Sequence, residues 1–564
     1  MLQILKNNIK DVLETFYKEK GHDITIVVEQ PKNLEMGDVC VPIFSIVKTL
    51  KEPLPKVAED VKQILLNKFD IIKEINPTGG FLNIIVNKGE LAYSIQLKTF
   101  NDKNVGESLG GKDKTVVLDY SSPNIAKSFS IGHLRSTMIG NSLKNIYEKC
   151  GYNTVSINYL GDWGTQFGKM IVAYKLWGDK KVIENDPINE LGKLYVKFHK
   201  EAESDESLND QAREAFRKLE QYDKESLDLW KWIKDESLKE SEEIYKLLDI
   251  KFDSYNGEAY YNDKMDSVVT YLEKLELLKE DQGAMIVDLG DDVPPALIKR
   301  KDGGSLYITR DLAAIFDRYK THNFVKCLYV VGNEQKLHFS QLKRVLNKMN
   351  QTFSEDITHV NFGLILKNGK KMSTRDGGVV KLQDVLDLAI NQALKQICEK
   401  NPTLENKEEI AKNVGVGAIV FNDLKNHRTL NYEFDLEKML KFEGQTGPYL
   451  QYTIVRIKSI LNTYKFDENS IKKELFELPH YFELGRSIGE YESTVIKACE
   501  EDAPSVIAKY LLSLAQLFNK FYSMEKLIVD DLHIKNTNFL LASNVCKVIA
   551  DGLNLLGIKT VERM

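Results

Sequence analysis

Three stretches carry the residues that could do chemistry. The first runs from Ser121-Ser122-Pro123-Asn124 to Ser130-Ile131-Gly132-His133, where turn-forming residues give way to a glycine and a histidine opening a helical pattern. Backbone N–H groups and the dipole at a helix N-terminus favour a phosphate there. The second is Lys370-Lys371-Met372-Ser373-Thr374-Arg375-Asp376-Gly377-Gly378, a basic loop ended by glycines. The third, Asn158 to Gly168, is rich in glycine and bears an amide and the Asp162 carboxylate.

These stretches need elements to hold them. Thr115 to Tyr120 is a β-branched apolar run, the pattern of a buried strand. Leu134, Met138, Ile139, Leu143, Ile146 and Tyr147 recur at helical spacing, Gly151 suits the cap, and Thr154 to Ile157 reads as a second strand. A strand–helix–strand unit makes the strands parallel, with a right-handed crossover. Ligands in such sheets bind at the carboxyl ends of the strands, where loop 121–133 sits and which loop 158–168 also lines. Strand patterns return at 284–289, at 326–331 (followed by Gly332-Asn333-Glu334-Gln335 and His338) and at 360–366. The alternation predicts a doubly wound parallel sheet.

A chain of 564 residues exceeds one core, so about three or four domains are expected. At 43% hydrophobic and 28% charged the composition is that of an ordinary globular protein. A net charge of −6 excludes a global basic signature, so a nucleic acid would be met by local patches or by shape. The six cysteines are far apart without a C-x-x-C pair, which argues against a zinc ribbon or disulfide framework and fits a reducing compartment. Lys6, Lys10, Asp11 and Glu14 interrupt any signal-peptide pattern, and no apolar run is long enough to span a bilayer.

Residues 1–109 read as an α+β module: an amphipathic helix on Leu2, Leu5, Ile9, Val12, Leu13 and Phe16, a strand at 23–28, a helix at 57–66 and a glycine-led strand at 79–86. Residues 98–115 read as a connector. Residues 169–280 are dense in Glu, Lys and Asp and read as a solvated helical insertion. From about residue 380 only helical periodicity remains, as at 382–400, 454–464, 503–521 and 539–556, which predicts a bundle.

The ordered blocks at 121–137 (SSPNIAKSFSIGHLRST), 158–168 (NYLGDWGTQFG), 307–314 (YITRDLAA), 370–378 (KKMSTRDGG) and 443–457 (EGQTGPYLQYTIVRI), with the terminal ERM, resemble the bacterial type of arginyl-tRNA synthetase, a class I aminoacyl-tRNA synthetase. The resemblance covers nearly the whole chain. It implies a multidomain α/β protein: an N-terminal additional domain (1–109) at the tRNA elbow, a Rossmann-like catalytic domain (110–385) with a helical insertion at about 169–283, a helical connector (386–440) and an all-α anticodon-binding bundle (441–564). The implied reaction activates L-arginine with ATP and Mg²⁺ and transfers it to the 2′-hydroxyl of the terminal adenosine of tRNA(Arg). The resemblance also implies a cytoplasmic monomer without a zinc site, a membrane attachment or an obligate protein partner, whose arginine activation needs tRNA.

The same resemblance implies roles by residue. His133, Lys371 and Ser373 are the expected catalytic residues. Ser130, Gly132, His133, Lys371, Met372, Ser373 and Arg375 would hold ATP. Ser122, Asn124, His133, Asn158, Tyr307, Asp311 and Gln335 would hold arginine, and Phe81, Asn83, Tyr449, Tyr452 and Met564 would touch tRNA. Physical chemistry fits much of this. A histidine at a helix tip can donate to a phosphate oxygen, and a lysine on a glycine-flanked loop can close over a leaving pyrophosphate. A guanidinium, planar and carrying five donors, needs a carboxylate and amide or aromatic groups, and Tyr307 and Asp311, four apart, share a face if their segment is helical. Exposed tyrosines can stack on unpaired bases. Each residue also has a plainer reading: His133 as a satisfied structural histidine, the Lys371 loop as solvated surface, Asp311 as a cap or ion-pair partner, and Phe81 and the tyrosines as packing. Two positions depart from the family pattern: Ser130 stands where histidine is frequent, and Thr374 where lysine is. Lys370 or Arg375 is then the expected source of the missing cation. The departures keep open a non-catalytic tRNA-binding relative, beside a class I ligase or nucleotidyltransferase for another substrate.

Overall fold

The computed structural model describes residues 2–31, 33, 36–125, 127–300, 307–372, 380–463 and 466–564. The chain forms two units, one from residues 1–106, 453–494 and 511–551, the other from 107–452, 495–510 and 552–564.

In the first unit the predicted opening helix, α1 (Leu2–Glu19), buries Leu5, Ile9, Leu13 and Tyr17, one stripe at helical spacing. Strand β1 (Val39–Pro42), helix α2 (Leu54–Lys68) and strands β2 (Ile72–Thr78) and β3 (Phe81–Val86) complete the module, and the sheet is antiparallel in the order β1-β3-β2. Gly79 and Gly80 both have positive φ, as a tight hairpin between β2 and β3 requires. The strand expected at 23–28 does not form. Ile24 and Ile26 are buried alternately, but only Glu29 finds a ladder partner, in Cys40. The connector expected from residue 98 begins later, because α3 (Lys88–Asn101) continues to Asn101. Buried amides fasten α3 to bundle segments of the same unit: Gln96 Nε2 donates to the Gly485 carbonyl (3.0 Å), and Asn544 Nδ2 to the Gln96 carbonyl (2.9 Å).

In the second unit β4 (Thr115–Asp119), α4 (Ile131–Lys149) and β5 (Asn153–Ile157) form the predicted strand–helix–strand unit, with β4 and β5 parallel from Thr115–Asn153 to Asp119–Ile157. The insertion that follows is helical, as expected. It has its own core around Trp163, Phe167, Leu191, Phe198 and Ile233, and its longest helix is α5 (Lys224–Leu248). Three short antiparallel strands, β6 (Leu278–Asp281), β7 (Ala284–Val287) and β8 (Ala296–Lys299), precede α6 (Tyr307–His322). Then come β9 (Lys326–Tyr329), α7 (Lys336–Lys348) and β10 (Ile357–His359). The main sheet runs β10-β9-β4-β5 with every pair parallel, so its loops gather at one edge. Ile308, Leu312 and Ile315 of α6 and Leu342, Val345 and Leu346 of α7 share a buried cluster with Val117, Ile157 and Cys327 of the sheet.

Two expectations from 360 onward are corrected. The predicted strand 360–366 breaks after His359: Phe362 bridges to Gly332 and the Gly363 N–H donates to the Arg428 carbonyl, so the chain leaves the main sheet. It resumes as β11 (Ile365–Lys367), which turns at Asn368-Gly369, both with positive φ, into β12 (Lys370–Lys371). Beyond helix α8 (Lys407–Leu424), in a region read as wholly helical, β13 (Tyr432–Glu433) pairs in parallel with β11. The remaining elements from Leu382 are helical, as predicted. Residues 495–510 return to this unit. Asp502 accepts from Lys326 Nζ (2.8 Å) and Tyr147 Oη (2.6 Å), and its carbonyl accepts from Arg428 Nε (3.1 Å).

Candidate active site

The loop leaving β4 is held in an uncommon shape. Ser121 and Ser122 have φ of 73° and 47°, a left-handed pair that non-glycine residues adopt at a cost of roughly 1 kcal/mol each. A buried network holds them there. The Ser121 N–H donates to Ser136 Oγ (2.9 Å), Thr137 Oγ1 donates to Ser121 Oγ (2.9 Å), and Ser121 Oγ meets Tyr245 Oη at 2.7 Å. Asn158 is fully buried. Its Nδ2 donates to Tyr245 Oη (2.9 Å), and its Oδ1 accepts the Ser122 N–H (3.1 Å). The Asn158 side chain thus braces the loop through two interactions. Asn124 lies exposed one step further, bridged in parallel to Gly161. Tyr245 belongs to α5 in the insertion. Sequence reasoning missed it, because an aromatic on a charged amphipathic helix reads as packing.

At the tip of α4 the Ser130 N–H donates to His133 Nδ1 (3.0 Å), and Ser130 Oγ stands at the same distance. A backbone N–H can only donate, so Nδ1 is unprotonated and the neutral ring carries its proton on Nε2. Burial, helped by the positive charge of Lys127 and opposed by the Ser130 hydrogen bond, lowers the His133 pKa to about 4. The ring is therefore a neutral donor at pH 7. Gly132 is exposed, and a Cβ there would meet nothing closer than Ser130 Oγ at 3.4 Å, so the backbone at the tip is open to a flat ligand.

Across the sheet edge, α6 confirms the helical reading of 307–312, with Tyr307 exposed and Asp311 one turn on. Asp311 is not free: its Oδ2 lies 2.6 Å from His338 Nε2 on α7. Burial disfavours a charged His338, but the hydrogen bond and charge of Asp311 outweigh it and raise its pKa. The negative charge of Asp311 also reaches the buried Asp119, which accepts from Ser122 Oγ (3.0 Å) and Arg318 Nη2 (2.7 Å). Glu258, which sequence reasoning did not single out, pairs with Arg310 Nη1 at 3.2 Å. Burial, with help from Asp311 and Asp162 against Arg310, raises its pKa to about 7. Gln335 is exposed in the 3-10 turn after β9. Carboxylates, a buried amide and aromatic rings therefore gather at the carboxyl edge, a chemistry suited to a planar cation.

Lys371 lies exposed on β12, and the Met372 N–H donates to the Ile365 carbonyl (3.0 Å). Ser373, Thr374 and Arg375 lie outside the described residues. Beyond them the chain reaches the α4 tip: the Ile131 N–H donates to the Val380 carbonyl (3.0 Å), the Leu382 N–H to the Phe129 carbonyl (2.9 Å), and Ser130 bridges Lys381. The downstream end of the basic loop is thus paired with the residues flanking Ser130. Among the described residues no three His, Cys, Asp or Glu side chains converge as a metal would require.

The expected tRNA contacts divide by exposure. Phe81 lies at the surface, edge-on to Phe44 at 5.3 Å. Asn83 is only 3% exposed, in the central strand between Cys40 and Asn76, so it presents no side chain to an RNA. Tyr452 is 45% exposed near Phe442, Tyr449 is half-buried, and Met564 is half-buried at the last position.

Three domain families match the chain: an arginyl tRNA synthetase N-terminal domain over 3–86, a catalytic domain described as tRNA synthetases class I (R) over 96–436, and a DALR anticodon binding domain over 450–564. The arginine–tRNA ligase of Enterococcus faecalis is 46% identical over 566 residues, spanning 99% of this chain and all of that protein. That of Leuconostoc mesenteroides is 48% identical over 547 residues, 96% of each. The crystal structure of the Plasmodium falciparum arginyl-tRNA synthetase superposes with a TM-score of 0.75 at 25% identity over 99% of both chains. The Thermus thermophilus enzyme shares the fold at a TM-score of 0.77, 23% identical over 99% of this chain and 100% of that one. A catalytic-domain match over more than half of the chain, and full-length relatives near one-half identity, establish that the chain belongs to the arginyl-tRNA synthetase family of class I.

Proposed function

We propose that this chain is an arginine–tRNA ligase. It joins the carboxylate of L-arginine to the α-phosphorus of ATP, expels pyrophosphate, and passes the arginyl group to the terminal 2′-hydroxyl of tRNA(Arg) as AMP leaves. The observation that carries the reading is the pairing of 380–382 with 129–131, which brings the basic loop's end to the His133 helix tip. Such a site works by positioning and by neutralising charge on phosphate oxygens. The α4 amides and the His133 Nε2–H meet phosphate oxygens, and Gly132 leaves room for adenine. Lys371, with Met372, Ser373 and Arg375 after it, closes over the leaving pyrophosphate. Lys127, near enough to depress the His133 pKa, supplies positive charge that Ser130 and Thr374 lack. Mg²⁺, when bound with ATP, would neutralise phosphate charge and would rest on the nucleotide more than on side chains of this chain.

Arginine enters at the carboxyl edge, its guanidinium facing Asp311 and Glu258 with Tyr307 and Gln335 alongside. Asn124 meets the ammonium end, and Asn158 holds Ser122 in place. A site built on charged hydrogen bonds rejects analogues that lack them by roughly 10⁴-fold. Phe81, Tyr449, Tyr452 and Met564 contact the tRNA. The enzyme works in the cytoplasm as a monomer, where its six cysteines, all free, stay reduced. The test is ATP–pyrophosphate exchange and aminoacylation with each of the twenty amino acids, with and without tRNA. Charging of arginine alone supports the reading. Charging of another amino acid, or RNA binding with no ATP turnover, defeats it.

A further inference from the structure

Two residues beyond the neutral His133, α4 turns a cation inward. Arg135 is fully buried, and so is Asp423 on α8, whose Oδ1 lies 2.8 Å from Arg135 Nε. Arg135 Nη1 donates to the Leu430 carbonyl (2.9 Å), and the guanidinium lies over the rings of Tyr432 (5.2 Å) and Phe362 (5.9 Å). Nothing in arginine activation needs a charge at that depth. Burying an ion pair costs more desolvation than an apolar pair of the same volume, so geometry is the better explanation of it.

Two of these contacts, Leu430 and Tyr432, lie on one strap, residues 428–434, and that strap carries the Lys371 hairpin. Tyr432 and Glu433 form β13, paired with Ile365 and Leu366 of β11. The Tyr432 N–H donates to the Leu364 carbonyl (3.2 Å), the Phe434 N–H to the Leu366 carbonyl (2.8 Å), and the Leu364 N–H to Asn431 Oδ1 (2.7 Å). The exposed Glu433 carboxylate accepts both N–H groups of the hairpin turn, from Asn368 and from Gly369 (3.2 Å). Gly363 comes so close to Leu430 that a Cβ would lie 2.8 Å from its backbone. Among the described residues β11 pairs only with β12 and β13, not with the main sheet. Besides the pairing of 380–382 with 129–131, a second route from the helix of His133 to the strand of Lys371 therefore runs through Arg135.

We propose that Arg135 and Asp423 are positioning residues that set the Lys371 hairpin, through the 428–434 strap, in register with the His133 helix tip. A guanidinium suits this task because its planar fork fixes direction, whereas an ammonium on a flexible stem supplies charge without direction. The inference rests on the ligase reading above. If the unmodified chain shows no arginine-dependent exchange with tRNA present, that reading fails first. If it does, the variants R135K and E433Q and their double test the strap, each measured for exchange kcat, arginine KM, active-site titre and thermal unfolding.

R135K retains the charge, and E433Q alters only an exposed carboxylate at the far end of the same route. Each should lower kcat per titrated site by about 10-fold, the scale of a sub-ångström misplacement at a reacting centre. Arginine KM should move by less than about twofold, because the guanidinium pocket lies on other elements. E433Q should leave the unfolding temperature unchanged. The double variant should lose less than the product of the singles, since both interrupt one route. A silent E433Q, fully multiplicative losses, a rise in arginine KM matching the fall in kcat, or an R135K loss that vanishes once activity is scaled to titrated sites would each overturn it.

Discussion

His133 has two tasks on two atoms, and substitution can separate them. Nδ1 accepts the Ser130 N–H at 3.0 Å and so caps α4, while Nε2 keeps the proton and is the donor left for a ligand. In His133→Asn the amide oxygen can replace Nδ1, but nothing replaces Nε2–H. In His133→Gln the longer amide can reach towards the Nε2 position, but the short cap is lost. Removing one donor aimed at transition-state charge lowers kcat by about 10²–10³-fold, or about 3–4 kcal/mol. Losing a helix cap costs about 1 kcal/mol. His133→Asn should therefore keep its stability and lose at least about 10²-fold in arginine-dependent exchange. His133→Gln should be the less stable protein and the more active of the two. A further signature follows from protonation. The ring titrates at 6.5 when unfolded and at about 4 when folded, so the unfolded chain binds the proton first. His133 then favours folding fully above about pH 6.5, and that contribution falls away by up to about 3 kcal/mol as pH drops to 4. Both variants should lose this part of the acid sensitivity. The measurements are exchange kinetics and denaturant unfolding between pH 4 and 8. If both variants lose activity in proportion to stability, or if His133→Asn stays fully active, the division of labour is wrong.

Asp311→Asn should raise arginine KM by about 10²-fold or more and leave ATP KM nearly unchanged, since it removes one charged hydrogen-bond partner; equal changes in both would contradict the pocket. Because Asp311 raises the His338 pKa, a protonated His338 competes with arginine for that carboxylate, so arginine KM should fall as pH rises through the His338 titration. His338→Gln should flatten that trend, and an unchanged pH profile would refute it. Gly132→Ala places a methyl in open space at the helix tip, so ATP KM should rise about 10-fold with unfolding unaltered. Tyr452→Ala should weaken tRNA binding by about 5- to 100-fold in a filter assay, the worth of one stacked base. Asn83→Ala, buried in its strand, should instead lower stability while leaving tRNA affinity unchanged.

The strand–helix–strand unit at 115–157 was legible because each part carries a strong local signal: an apolar run for a buried parallel strand, turn residues, then helical spacing. The hairpin carrying Lys371 was half legible. Asn368-Gly369 is a turn signal, but strands of two and three residues have no periodicity to read. The same brevity hid β13, which is set by pairing with β11 rather than by its own sequence. At 23–28 the apolar alternation was real, yet alternation records burial and a ladder also needs a free neighbour. Residue type misled at Asn83, expected to touch tRNA and instead buried at a cross-strand position. Tyr245, 124 positions from the Ser121 it touches, could be found only once the insertion had folded back.

The visits of residues 495–510 and 552–564 to the catalytic unit bear on how the enzyme can be made or cut. A fragment ending near 452 would contain every strand of the main sheet and still leave Lys326 and Tyr147 without the Asp502 carboxylate. It would also lack Leu555, whose carbonyl accepts the Ser142 hydroxyl on the far part of α4. On the ribosome, the sheet and its helices α4, α6 and α7 can assemble once β10 has emerged, but the supporting segments 495–510 and 552–564 arrive only over about two hundred more residues. Release of the nascent chain in that interval would yield a protein with a formed nucleotide cradle and an unsupported underside, a natural client for chaperones and proteases.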